Sequence, residues 1–164
     1  MPVAPYGSWE SSVSPAIVTG AAVRHADSVE IDGDDVYWVE SRPTEGGRSA
    51  IVRRASDGSI ADAAQGDFNA RSRVHEYGGG AWDVRDGVLV FSEFADNRLL
   101  LKRSPHGEID ELVTDPALRF ADIEIDLERE RAIAVLEDQT ESAIEARNLL
   151  VAVSLADGSL RELA

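Results

Sequence analysis

Residues 29–40 read V-E-I-D-G-D-D-V-Y-W-V-E: a short strand, an acidic turn, and then Val36-Tyr37-Trp38-Val39, apolar in succession rather than alternating. The Asp-Gly and Asp-Asp pair fits a hairpin turn. An unbroken apolar run fits a strand covered on both faces. The theme returns as W-D-V-R-D-G-V-L-V-F-S-E from Trp82 and as I-E-I-D-L-E-R-E-R-A-I-A-V-L-E-D from Ile123. Val36, Val88 and Ala132 open the three central runs, 52 and 44 residues apart. A second marker keeps the same period: the turns Asp57-Gly58, His106-Gly107 and Asp157-Gly158 place their glycines 49 and 51 residues apart.

Working outward, each interval holds a further apolar run, at residues 50–52, 99–101 and 149–153. A weaker strand follows each turn, at residues 59–63, 108–113 and 159–163. Four short strands in a repeat of about 45 to 50 residues is the pattern of a β-propeller blade. A parallel sheet would also bury both faces but needs crossover helices. The best helical stretch, Gln139 to Asn148, is short and reads as a loop. The expected fold is therefore all-β, a partial β-propeller of about three four-stranded antiparallel blades over residues 29–66, 71–115 and 119–164. Residues 1–28 are expected to form an extended arm with little regular structure, anchored by Tyr6, Trp9, Ile17 and Val18. Propellers close with about four to eight blades, so the chain is expected to be a piece of a longer protein.

The composition is globular, with 43% hydrophobic and 29% charged residues, and 31 acidic against 16 basic residues give a net charge of −15. That balance argues against nucleic acid and anionic membranes as partners, since phosphate contacts need clustered cations. The chain has no cysteine, which excludes a disulfide scaffold, a thiolate nucleophile and Cys-ligated zinc. No apolar run approaches transmembrane length and no basic-then-apolar leader opens the sequence, so a cytoplasmic protein is expected.

The least ordinary segment is R-S-R-V-H-E-Y-G-G-G-A-W, residues 71–82. Three successive glycines, Gly78, Gly79 and Gly80, free the backbone for positive φ or close approach to a neighbour, beside His75, Glu76 and Tyr77. No G-x-S-x-G nucleophile elbow occurs: Gly47-Arg48-Ser49 starts one, but Ala50-Ile51 follows. His25, His75 and His106 are scattered, and no pair has the spacing that sets two ligands on one helix face. No catalytic residue, metal site or cofactor is assigned. Trp38, Trp82 and Phe91 read as packing between blades. Asp32, Asp34 and Asp35 read as a turn, because the later glutamate of a calcium loop is missing. Glu124, Asp126, Glu128 and Glu130 alternate with apolar residues and read as a solvated acidic face, partly neutralised by Arg129 and Arg131.

Four motifs carry a resemblance: P-Y-G-S-W at Pro5 to Trp9, R-V-H-E-Y-G-G-G-A-W at Arg73 to Trp82, F-A-D-N-R-L at Phe94 to Leu99, and L-R-F-A-D at Leu118 to Asp122. Together they resemble the N-terminal propeller of prolyl oligopeptidase family serine peptidases, nearest the dipeptidyl aminopeptidase or acylaminoacyl peptidase branch. The resemblance implies that an α/β-hydrolase domain, absent here, carries the Ser, Asp and His triad and is this chain's partner. It also implies a short peptide substrate that the propeller gates by size and helps to position. Two departures stand out. Such proteins tend to read R-E-D-H where this chain has Leu136-Glu137-Asp138-Gln139, and N-E-L-V-A-V-D-L where it has Asn148 to Leu155 as N-L-L-V-A-V-S-L.

Within that resemblance two readings of the central loop stand. In one, Glu76 points into the propeller cavity or the hydrolase interface and pairs with a substrate amine, with His75 and Tyr77 beside it. In the other, Glu76 pairs with Arg71 or Arg73, while His75 and Tyr77 satisfy backbone groups near a bulge. For the chain as a whole, the alternatives are a non-enzymatic binding or assembly module, homo-oligomeric through open blade edges, or an inert truncated product.

Overall fold

Each central apolar run forms the second strand of a four-stranded antiparallel sheet. The computed structural model describes residues 5, 7, 8, 14–20, 23–142 and 144–164. The first sheet is β1 (Val23–Asp32), β2 (Asp35–Arg42), β3 (Arg48–Arg54) and β4 (Ile60–Asp62). The second is β5 (Trp82–Arg85), β6 (Val88–Ser92), β7 (Leu99–Lys102) and β8 (Ile109–Val113). The third is β9 (Leu118–Asp126), β10 (Arg131–Asp138), β11 (Arg147–Ser154) and β12 (Leu160–Glu162). In every sheet the strands pair in sequence order, the meander of a propeller blade. The chain is all-β, a partial β-propeller.

The described part of residues 1–28 differs from the expected arm. Pro15–Gly20 is a short helix, α1, opened by a proline whose fixed φ suits a first helical position. Strand β1 already begins at Val23, pairing Val23 with Ser41 and His25 with Val39 before a register shift ahead of Val29. That early half is polar and broken by a bulge, so it carries no apolar period of its own. Tyr6 and Trp9 lie outside the described residues. At the other end, residues 139–146 are loop, apart from Ala143, which is not described, and Ile144 is 95% exposed.

The middle sheet is covered on both faces, which explains its unbroken apolar runs. Leu89, Phe91 and Leu100 face the first sheet, in a cluster with Tyr37, Val39, Ile51 and Trp82. Val90, Leu99 and Leu101 face the third, with Phe120, Ile125, Ala134 and Val153. Residues alternating along one strand thus serve two interfaces. Strand β5 touches both β1 and β9, so the first strands of successive blades line the inner side.

Polar groups close the seams between blades. The Asp32 carboxylate accepts from the Asp86 and Gly87 amides at 2.7 and 2.6 Å, tying the first hairpin turn to the second. Asp83, buried, accepts from Ile125 N at 2.7 Å, and Ser92 Oγ donates to Phe120 O at 2.9 Å. Trp38, Trp82 and Phe91 are all buried. The acidic alternation runs only to Asp126, where β9 ends in a 3-10 turn over Leu127–Arg129, and Arg129 and Arg131 both pair with Asp126. Among the described residues no helix is long and apolar enough to cross a membrane.

Candidate functional site

The loop before β5 folds back on itself in a 3-10 turn, Val74–Glu76, with Glu76 N donating to Arg73 O at 2.9 Å and Gly78 N to Val74 O at 2.9 Å. His75 and Glu76 both take positive φ, 51° and 63°. Two adjacent non-glycine residues in the left-handed region are strained, and such strain persists only where surrounding structure fixes it. Here the fixing group is Glu137, at the end of β10 and 5% exposed. Its Oε2 accepts the His75 amide at 2.6 Å, while Oε1 accepts from Arg119 Nη1 at 2.9 Å and Gln139 Nε2 at 2.5 Å.

Arg119, near the start of β9, carries the connection on to Glu76: the same Nη1 lies 3.1 Å from Glu76 Oε1 and 3.4 Å from Arg73 O. The two ion pairs of Arg119 are unequal. Glu137 is 7% exposed at its side chain and Glu76 is 81% exposed, so solvent screens the second pair far more than the first. Glu137 therefore holds the arginine, and the arginine orients a carboxylate that stands in solvent. His75 Nε2 lies 2.6 Å from Asn148 Oδ1 on β11, and Tyr77 is 92% exposed.

The glycines complete the placement. A Cβ on Gly78 would sit 2.5 Å from Ser72 O, and one on Gly80 would sit 2.5 Å from the Asp122 Cα. Gly80 O accepts from Ile123 N at 3.1 Å, beside the register shift that the β9–β10 ladder makes opposite Asp122 and Ile123. The glycine run is thus where the second blade's inner strand docks on the third.

His75, Glu76 and Tyr77 share the loop before β5, but their side chains take separate directions, to Asn148, to Arg119 and to solvent, and the expected pairing of Glu76 with Arg71 or Arg73 is not what forms. Both guanidinium groups instead stack on Phe94, 4.8 and 4.1 Å from its ring centroid. Nor do His75 and Tyr77 serve a bulge in the way that reading supposed; the His75 ring meets Asn148. Arg119, Glu137 and Asn148 as partners of this loop are found only in the fold. Their signal was present, since Arg119 lies in L-R-F-A-D and Glu137 and Asn148 in the two stretches that depart from the family pattern. A small cavity of about 330 Å³ adjoins the loop, walled by Arg71, Ser72, Tyr77, the three glycines and Trp82. Among the described residues no group of three or more His, Asp or Glu is placed to hold a metal ion.

Comparison with known proteins gives the class. No family model matches the chain, and no curated protein matches it. Solved structures do. The chain is 33% identical to puromycin hydrolase at a TM-score of 0.86, over 100% of this chain and 28% of that one. It is 37% identical to a serine-to-alanine mutant of puromycin hydrolase complexed with PGG, at 0.86, over 98% of this chain and 27% of that one. It is 30% identical to a Mycobacterium tuberculosis puromycin-hydrolyzing peptidase, at 0.84, over 100% and 28%. The class is a propeller segment of the kind that peptidase chains carry. Those solved proteins are of the prolyl oligopeptidase family, and this chain is similar to an N-terminal propeller portion of them. It spans little more than a quarter of the solved proteins it resembles, 27–28% of their length.

Proposed function

We propose that this chain is the N-terminal part of a propeller that sits over the active site of a serine peptidase, restricting access by size and positioning short peptides. The matched proteins are hydrolases by name, and the acyl transfer itself belongs to a hydrolase domain. The propeller's share is exclusion and orientation, which lowers the barrier by holding the reacting groups in place.

One observation carries the positioning role: Glu76 presents an 81% exposed carboxylate from a backbone that is strained and fixed at its base by Glu137. A solvated surface glutamate needs no such support. An oriented carboxylate suits a cationic amine, and puromycin, which the matched proteins hydrolyse by name, is an aminoacyl amide with a free α-amine. His75 and Tyr77 flank that carboxylate as the remaining contacts for a short peptide with a free amino terminus, of the dipeptidyl type.

The test is steady-state kinetics on the full-length peptidase with Glu76→Gln. Substrates with a free α-amine should show KM raised about tenfold with kcat little changed, the mark of lost ground-state binding, while N-acetylated counterparts should be unaffected. Equal effects on free and acetylated substrates, or none on either with the fold intact, would overturn the assignment.

A further inference from the structure

Arg71 and Arg73 flank a serine in the R-S-R that opens the central loop. Ser72 is buried and its Oγ accepts from Val74 N at 3.1 Å, so the residues on either side of it turn the other way, as alternate residues of extended chain do. A bridge between Ala70 and Glu93, with Arg71 N donating to Ser92 O at 3.1 Å, sets Phe94 beside them. The two guanidinium carbons lie 4.8 and 4.1 Å from the centre of that one ring. They are therefore no more than 8.9 Å apart, the sum of the two distances.

Among the described residues neither guanidinium has an ion pair or a hydrogen bond. The chain does not lack acids, with 31 against 16 bases, and Arg42, Arg48, Arg53, Arg98, Arg119 and Arg131 all hold carboxylates. The neighbouring acids are committed elsewhere. Glu93 takes the Asn69 and Ala95 amides, Asp96 takes Arg98, and Glu76 and Glu137 take Arg119. Arg73 Nε is buried without an acceptor, its Nη1 and Nη2 are not so buried, and Arg71 is exposed. One cation on the ring would serve packing. A second, held within the Debye length of ~10 Å at 0.1 M salt, adds a repulsion that an anion between the two relieves.

We propose that Arg71 and Arg73 form a receptor for a carboxylate, the free C-terminal group of a short peptide, with Phe94 supporting both guanidinium groups from behind. Guanidinium forks match the two oxygens of a carboxylate. The acids around the pair, Glu76, Glu93 and Glu137, favour a singly charged guest over a phosphate dianion. The Arg73 carbonyl lies 3.4 Å from the same Arg119 Nη1 that holds Glu76 at 3.1 Å, so the receptor springs from the loop that carries the carboxylate assigned to the peptide amine. The inference rests on the reading of that loop as the side that meets the peptide. One loop then addresses both charges of a short peptide.

The experiment titrates the isotope-labelled 164-residue chain with acetyl-trialanine, which has a free carboxylate and no amine, and with its carboxamide, following the arginine Nε–H signals by NMR. The acid should bind saturably and shift Arg71 and Arg73, and the carboxamide should bind at least about tenfold more weakly. Arg71→Gln, a change at an exposed position, should weaken the acid by about tenfold. The Arg54→Gln, Arg161→Gln double variant removes charge from two other exposed arginines and should leave its affinity within about twofold. Equimolar phosphate should not displace it. Equal binding of acid and carboxamide, no binding of the acid, or displacement by equimolar phosphate would overturn the proposal. Glu76→Gln should leave the acetylated acid bound as before, since that peptide offers no amine. A failure of this titration is thus distinct from a failure of the amine assignment, which the kinetics on free and acetylated substrates decide.

Discussion

At Glu137 one buried carboxylate accepts the amide of His75, the guanidinium of Arg119 and the amide of Gln139. Removing it strips the half-buried Arg119 of its buried counter-charge, leaving only the solvated Glu76, and frees a strained turn. Glu137→Ala should therefore destabilise the fold by roughly 3 kcal/mol, the cost of breaking a buried ion pair by deleting one partner; chemical denaturation measures it, and a loss below about 0.5 kcal/mol would show that the pair is mere surface decoration. Gly80 tests the neighbouring contact. With φ at 44° and Asp122 Cα 2.5 Å from where a Cβ would lie, Gly80→Ala should cost about 2 kcal/mol or more, since backbone rather than a flexible side chain must yield. A melting temperature unchanged from the parent would contradict that docking. The sequence shows three glycines and a polar cluster at this place. It cannot show that His75 and Glu76, ordinary residues, share the left-handed conformation, because the cause lies in Arg119 and Glu137, groups far along the chain.

Strands β2, β3, β6, β7, β10 and β11 were legible because each carries its own apolar run, and the middle blade's run is unbroken because two interfaces draw on it. The first half of β1 was not, since its pairing is dictated by Ser41, Glu40 and Val39 on β2 rather than by a period in its own residues. Short helix α1 escaped for a similar reason, being set by a proline and little else. Charges on these elements give a dependence on pH with opposite signs at two aspartates. Burial alone would raise the Asp62 pKa, but the hydrogen bonds and charges of Arg42 and Arg48 outweigh it and hold the carboxyl below its ordinary 3.8. A lowered folded value contributes stability above 3.8 that is lost as pH falls through the folded pKa. Asp83 is the reverse: desolvation raises its pKa, only partly offset by the Ile125 and Val84 amides. Its contribution is present below 3.8 and is lost as pH rises through the raised value. Stability curves of Asp62→Asn and Asp83→Asn against the parent, from pH 3 to 7, should diverge accordingly. The penalty of the first should shrink toward acid, and that of the second should shrink toward neutrality. Parallel curves would refute both assignments.

Over the whole molecule, three sheets stacked through shared apolar faces, with β1, β5 and β9 on the inner side, form an arc of a propeller. Its middle blade is finished on both faces. The third blade leaves Leu150, Leu160 and Leu163 between 38% and 40% exposed, and the solved relatives are more than three times as long as the matched region. Whether this arc serves a peptidase is decided by sequencing the source gene through the codon for Ala164 and onward. An open frame that encodes further blades and then a G-x-S-x-G elbow followed by an aspartate and a histidine is expected. A stop codon directly after Ala164 would contradict the claim for this product.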